Sequence, residues 1–217
     1  MRAICRPFAA LLLALLLTGC GMSNDVLGPS VSGTAETPPV SPSASPSPVS
    51  EEDASLLEAA DEVVRALRDR DLNRLATWIH PEKGLLFSPY PHLDPRKARS
   101  FPADGLPSFS DTQKLVWGVH HGSGEPIELT FREYFDAYVY DQDYAEAPTV
   151  SVNRLVGQST IAYNGQEVFP GSSYVEYHYA GFDTSKEGMD WKSLILVFEP
   201  GQEWKRVAIA HGEWTTG

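Results

Sequence analysis

The sequence predicts an α+β domain in which N-terminal helices pack on a mainly antiparallel sheet, behind a long linker that builds no core. Three observations carry this expectation. Apolar residues recur at helical spacing between residues 56 and 67. From residue 149 onward, β-branched and aromatic runs alternate with Gly, Pro and Asn turns. Helices early and consecutive strands late fit α+β better than alternating α/β. All five tryptophans and all nine tyrosines lie in 51–217, enough for one core of single-domain size. No internal repeat interrupts that stretch.

Taken in order, Ser50-Glu51-Glu52-Asp53 is a helix start, with a capping serine and acids in the first turn. Leu56, Leu57, Ala60, Val63, Val64 and Leu67 then line one face. Arg68-Asp69-Arg70-Asp71 breaks the stripe, and Asp71 caps a shorter helix carrying Leu72, Leu75, Ala76, Trp78 and Ile79 up to His80-Pro81. Residues 84–88 form a short strand, followed by a charged, Pro-rich loop to about Asp111. Lys114–Val119 reads as a strand, Gly122-Ser123-Gly124 as a turn. Thr130 and Glu133 have the spacing of a capping box for a helix to about Tyr140. Strands over 149–155, 173–179, 192–199 and 204–211 complete the domain.

The chain opens differently. Arg2 and Arg6 precede an apolar run, Phe8–Leu17, of about ten residues, the length of a signal h-region and roughly half of what spans a bilayer. Leu17-Thr18-Gly19-Cys20 resembles the lipobox of bacterial lipoproteins. The resemblance implies that residues 1–19 are a cleaved signal peptide. It also implies that the Cys20 thiol carries diacylglycerol and its new amino group a further acyl chain such as palmitate. One chain anchors weakly, at about 0.8 kcal/mol per buried CH₂, whereas two or three hold. Gly21 follows the cysteine, which leaves cell membrane and outer membrane both open, on the extracytoplasmic side. Residues 20–50 are rich in Ser and Pro and have no aromatic residue, as a disordered spacer requires. Cys5 and Cys20 are the only cysteines, so the domain beyond the spacer has no thiol, disulfide or thiolate ligand.

The net charge is −12, and without the signal segment 15 basic residues face 29 acidic ones. Such a chain is repelled by nucleic acid and by anionic headgroups, which removes nucleic-acid binding from the partners expected.

Residues 63–81, with a helix, a short acidic break and a second helix, resemble the opening of nuclear-transport-factor-like (cystatin-like) domains. That resemblance implies helices packed in the hollow of a curved, cone-like sheet. His80-Pro-Glu-Lys-Gly84, Val175-Glu-Tyr-His178, Gly188-Met-Asp-Trp191 and Ala210-His-Gly-Glu-Trp214 resemble a group of bacterial lipoproteins that brings no activity with it.

Six histidines, at 80, 92, 120, 121, 178 and 211, are the obvious carriers of chemistry. No HExxH, HxH or GxSxG occurs, nor a Gly-rich phosphate loop, so no metal site, cofactor or nucleophile elbow is predicted. Alternation puts Tyr174, Glu176 and His178 on one strand face, and Val207, Ile209, His211 and Glu213 on one face of the last strand. His178 or His211 with Glu176 makes a candidate acid/base pair. Tyr138, Asp190 and Trp191 are candidate binding residues, the last two placed to close a mouth.

Three functions fit. The first is a non-catalytic envelope lipoprotein that binds a small ligand or another envelope protein. The second is a hydrolase or isomerase built on the His/carboxylate pair, and the third a structural or assembly factor. Convergence of His178, His211 and Glu176 in one pocket would favour the enzyme.

Overall fold

The computed structural model describes residues 50–215. The signal segment 1–19, Cys20 and all but the last residue of the 20–50 spacer lie outside them. The described chain is mixed α+β with a mainly antiparallel sheet. Among the described residues no helix is long and apolar enough to cross a membrane.

Helix α1, Glu51–Arg68, starts where its sequence demands, with Ser50 Oγ accepting the Asp53 N–H at 3.0 Å. Its stripe of Leu56, Ala60, Val63, Val64 and Leu67 is buried. The chain reverses at Arg70, whose φ is 54°, and Asp71 Oδ1 accepts the Arg74 N–H at 2.9 Å to open α2, Leu72–Thr77. This helix stops short of the expected end. Arg206 N–H donates to Trp78 O at 2.7 Å and His80 N–H to Arg206 O at 3.0 Å, so ladder bonds replace the last helical turn.

Strands β1 (Leu85–Ser88), β2 (Arg99–Phe101), β5 (Thr149–Val152), β6 (Ser173–Tyr179), β7 (Lys192–Glu199) and β8 (Lys205–Glu213) form one sheet in the order β2-β1-β8-β7-β6-β5. Only β1 and β8 run parallel. Strands β3 (Leu115–Val119) and β4 (Pro126–Leu129) make a separate hairpin. Helix α3, Phe131–Tyr138, follows, its capping box closed by Thr130 and Glu133, and a single turn, α4, covers Gly165–Val168. Strands β2 and β4 were not expected. Both lie at edges and carry charge or Pro rather than alternation, as unpaired edges must to resist further pairing.

Both faces of the central strands are buried. Cross-strand register lines up Tyr177 with Leu194 and His211, and, one residue along, Glu176 with Ile195 and Ala210. On the Tyr177 face, Val175, Leu194, Leu196, Phe198, Ile209 and Phe87 share a core with Leu56, Val63 and Leu67 of α1. The Tyr177 hydroxyl donates to Asp61 of the same helix at 2.8 Å. On the Glu176 face, Leu86, Ile195, Val197, Ala208 and Ala210 pack under Leu155, Tyr163, Val168 and Phe169. A register shift between Val197 and Phe198 places Val207 in this second cluster. The expected single face for Val207, Ile209, His211 and Glu213 therefore breaks at a bulge.

Candidate ligand-binding site

Glu176 and His178 share a face, as the alternation required, and the residue that joins them is Ser193, their neighbour on β7. Ser193 Oγ donates to Glu176 Oε1 at 2.7 Å and lies 2.8 Å from His178 Nδ1. Glu176 also accepts the backbone N–H of Gly157 at 3.1 Å and that of Val156. The carboxylate is 1% exposed and its lone pairs are spent on the segment that crosses over it. Serine stands between acid and histidine, so the carboxylate does not hold the imidazole directly as the acid of a triad does. Burial lowers the His178 pKa against the opposing pull of Glu176. Trp191 covers this histidine, with ring centroids 5.7 Å apart. Gly157 makes room for that indole, since a Cβ there would meet Cζ3 at 2.5 Å. Asp190 turns away, its Oδ2 accepting Phe182 N–H at 3.2 Å and Asp183 N–H at 2.9 Å.

His211 is on the opposite face. Its Nε2–H donates to Asp141 Oδ2 at 3.2 Å, Tyr144 O–H donates to the same carboxylate at 2.7 Å, and Lys192 Nζ stands 3.5 Å away and also pairs with Glu213. Burial alone would raise the Asp141 pKa, but the hydrogen bonds and charge from His211, the Tyr144 bond and the Lys192 charge hold it below the usual value. Tyr138 packs edge-on to the imidazole, centroids 5.6 Å apart, and burial with the Tyr90 and Glu213 charges pushes its hydroxyl up to about 12. His211 Nδ1 and the Tyr134 hydroxyl are buried without a partner among the described residues. The sequence-derived candidates thus do not converge. Glu176, His178 and Trp191 lie on one side of the sheet, His211 and Tyr138 on the other, and Asp190 in a turn.

A third place has the shape of a binding site. Beyond the end of β1, the chain Ser88–Ala98 folds against β3 and leaves a cleft of about 210 Å³. Its floor is apolar, formed by Pro89, Trp117, Gly118, Val119 and Ile161, and its rim holds Tyr90, His92, Asp94, Lys97 and His121. Few polar groups over an apolar floor is the usual composition of a small-ligand pocket. The wall is well fixed. Ser88 Oγ donates to Tyr90 O at 2.8 Å, Leu93 N–H to Asn164 Oδ1 at 2.7 Å, and Asn164 Nδ2 back to Leu93 O at 3.0 Å. Gly118 sets the depth, since a Cβ at its φ of 155° would be strained and would meet Pro89 Cγ at 3.0 Å. Burial lowers the His121 pKa, and the neighbouring basic groups His92 and Lys97 act in the same direction. Burial raises the Tyr90 hydroxyl against the His121 N–H it accepts, with Glu213 adding to the rise. Perturbed titratable groups lining an opening make it a candidate functional surface.

No family model matches the chain, and no curated protein proves similar to it. Among the described residues no three metal-ligating side chains converge. Sequence reasoning passed over Tyr90, Lys97 and Asp141, and left His92 and His121 without a role. The one signal was Arg96-Lys97-Ala98-Arg99, a basic run in an acidic chain.

Proposed function

We propose that this is an extracytoplasmic protein, lipid-anchored through Cys20, whose folded domain holds a small ligand without transforming it. One observation carries the reading. The cleft beside Trp117 combines an apolar lining with a few polar groups, whereas Glu176, the best acid/base candidate, has its lone pairs committed to backbone and Ser193. The anchor rests on the Leu17-Thr-Gly-Cys20 pattern. Mass spectrometry of full-length protein purified from its native envelope tests the ligand. A stoichiometric small molecule is expected, and its absence from repeated preparations overturns the reading. A Cys20→Ser variant should lose fatty acid and membrane association, and unchanged fractionation refutes the anchor.

The catalytic alternative keeps one observation in its favour. Asp141 orients His211 through Nε2 and leaves Nδ1 unpartnered beside Tyr138. The cone-like arrangement of nuclear-transport-factor-like domains is likewise our reading of the fold, supported by α1 sharing a core with the Tyr177 face. An assembly role through the acidic surface has no specific contact behind it.

A further inference from the structure

We infer that the cleft beside Trp117 takes a small ligand with an apolar body and one anionic head, a carboxylate or its equivalent. The inference rests on the binding function proposed above and adds the ligand's chemical class. Cations are scarce in a chain of net charge −12, yet Arg96, Lys97 and Arg99 fall within four residues at this opening. Lys97 lines the cleft together with His92 and His121, and a shallow depression next to it is lined by Arg96, Lys97 and Arg99. Such a local concentration of one sign draws an anion toward the opening.

The hydrogen-bonding capacity of the rim has the same sense. Asp94 is the only carboxylate in the lining, and it is engaged. Its Oδ1 accepts the Arg96 N–H at 3.1 Å and the Arg96 Nε–H at 3.3 Å, and its Oδ2 lies 3.9 Å from Lys97 Nζ. The Tyr90 hydroxyl accepts the His121 N–H at 3.3 Å, which leaves its own proton for an acceptor in the cleft. An ammonium, a phenol O–H and the one imidazole N–H of His121 therefore line the cleft as donors, while the ring nitrogens of His92 are taken up by Ala162 O at 3.4 Å and Asn164 Nδ2 at 3.5 Å. Donors lining one small cleft fit an anionic head, and charge-assisted bonds there are about twice as strong as neutral ones. The apolar side of the lining is Val119 and Ile161, both partly exposed, over the buried Pro89 and Trp117, whose indole N–H is spent on Leu129 O at 2.9 Å. A volume of about 210 Å³ is under the roughly 300–1,000 Å³ of drug-sized sites, which limits the body to one ring or a short branched chain.

Three probes of one shape and different charge test this: benzoate, benzamide and benzylamine, titrated into the full-length protein in detergent and followed by calorimetry. Benzoate is expected to bind at least about tenfold more tightly than benzamide, with benzylamine weakest. Lys97 is exposed, so Lys97→Gln should fold normally, reduce benzoate to the affinity of benzamide and leave benzamide unchanged. Equal binding of the three, or preference for benzylamine, overturns the anionic class while the cleft still stands as a binding site. Binding of benzoate that Lys97→Gln does not weaken overturns the location. If no probe binds, the inference fails, and the ligand recovered from the native envelope decides the broader function separately.

Discussion

The two buried histidine–carboxylate groups lie on opposite faces of the same sheet and are wired in opposite ways. On the Glu176 face the acid takes donors from Val156, Gly157 and Ser193, and the histidine is an accessory on the far side of the serine. On the Tyr177 face the acid binds His211 directly and shares itself with Tyr144 and Lys192, while the far nitrogen of His211 has no partner. The same residue types therefore do different work. The first group clamps a crossing segment to the sheet, and the second joins β8 to the end of the α3 connection. Arg206 extends the scale to its limit, fully buried, with no hydrogen bond from any guanidinium nitrogen among the described residues. Burial pushes its pKa down to about 9, so it is still a cation at neutral pH.

If Glu176 is the clamp, its removal has the largest effect. Glu176→Ala strands the Val156 and Gly157 N–H groups and leaves the Ser193 hydroxyl only His178, at a cost of about 3–5 kcal/mol. Urea denaturation measures it, and a loss under about 1 kcal/mol would show that the clamp is not what holds residues 153–157 down. Arg206→Met should act with the opposite sign. An unpartnered buried cation costs desolvation that an apolar side chain of similar length does not, so the variant is expected to gain about 1–4 kcal/mol. Destabilisation instead would reveal a partner for the guanidinium.

How much of this contrast was legible depends on the range of the rule applied. Caps are local, and Ser50, Asp71 and the Thr130–Glu133 box all sit where the sequence puts them. Alternation is also local, and it grouped Tyr174, Glu176 and His178 correctly. Which face His211 shares with them is a matter of cross-strand register, set by turn lengths and by the bulge at Phe198, which no single strand encodes. Asp141 came from outside the strands altogether, brought to His211 by a connection some 70 residues earlier in the chain. The cleft was hidden for the same reason: Tyr90 and Lys97 come from the β1–β2 connection and His121 from the β3–β4 turn, and only the 96–99 charge run hinted at it.

The Asp141 pair gives a smaller, pH-dependent term. Asp141→Asn keeps the shape and weakens the bonds from His211 and Tyr144, for an expected loss of about 1–3 kcal/mol at pH 7. Because the folded-state pKa is lowered, this stability is present above the ordinary carboxylate value of 3.8 and fades as pH falls through the folded value. Wild type and variant should therefore converge in acid. A difference unchanged down to pH 2 would mean that the carboxylate's charge is irrelevant to the join.

The smallest expected effect is the linkage of His178 to pH. Burial lowers the His178 pKa below 6.5 in the folded protein, so the unfolded chain takes up a proton more readily there. Stability from this residue is then fully present above pH 6.5 and declines as pH falls through the folded value. His121 contributes a decline of the same sign, its pKa also lowered, so the His178 share must be found by difference. His178→Asn retains a polar neighbour for Ser193 but no titration, and its stability between pH 7 and 5 should fall less steeply than that of wild type. Parallel curves would show that His178 stays as accessible to protons folded as unfolded. Trp191 and the 153–157 segment would then not seal that face, and the contrast between a closed clamp and an open-ended pair would fail on the side where it is drawn most firmly.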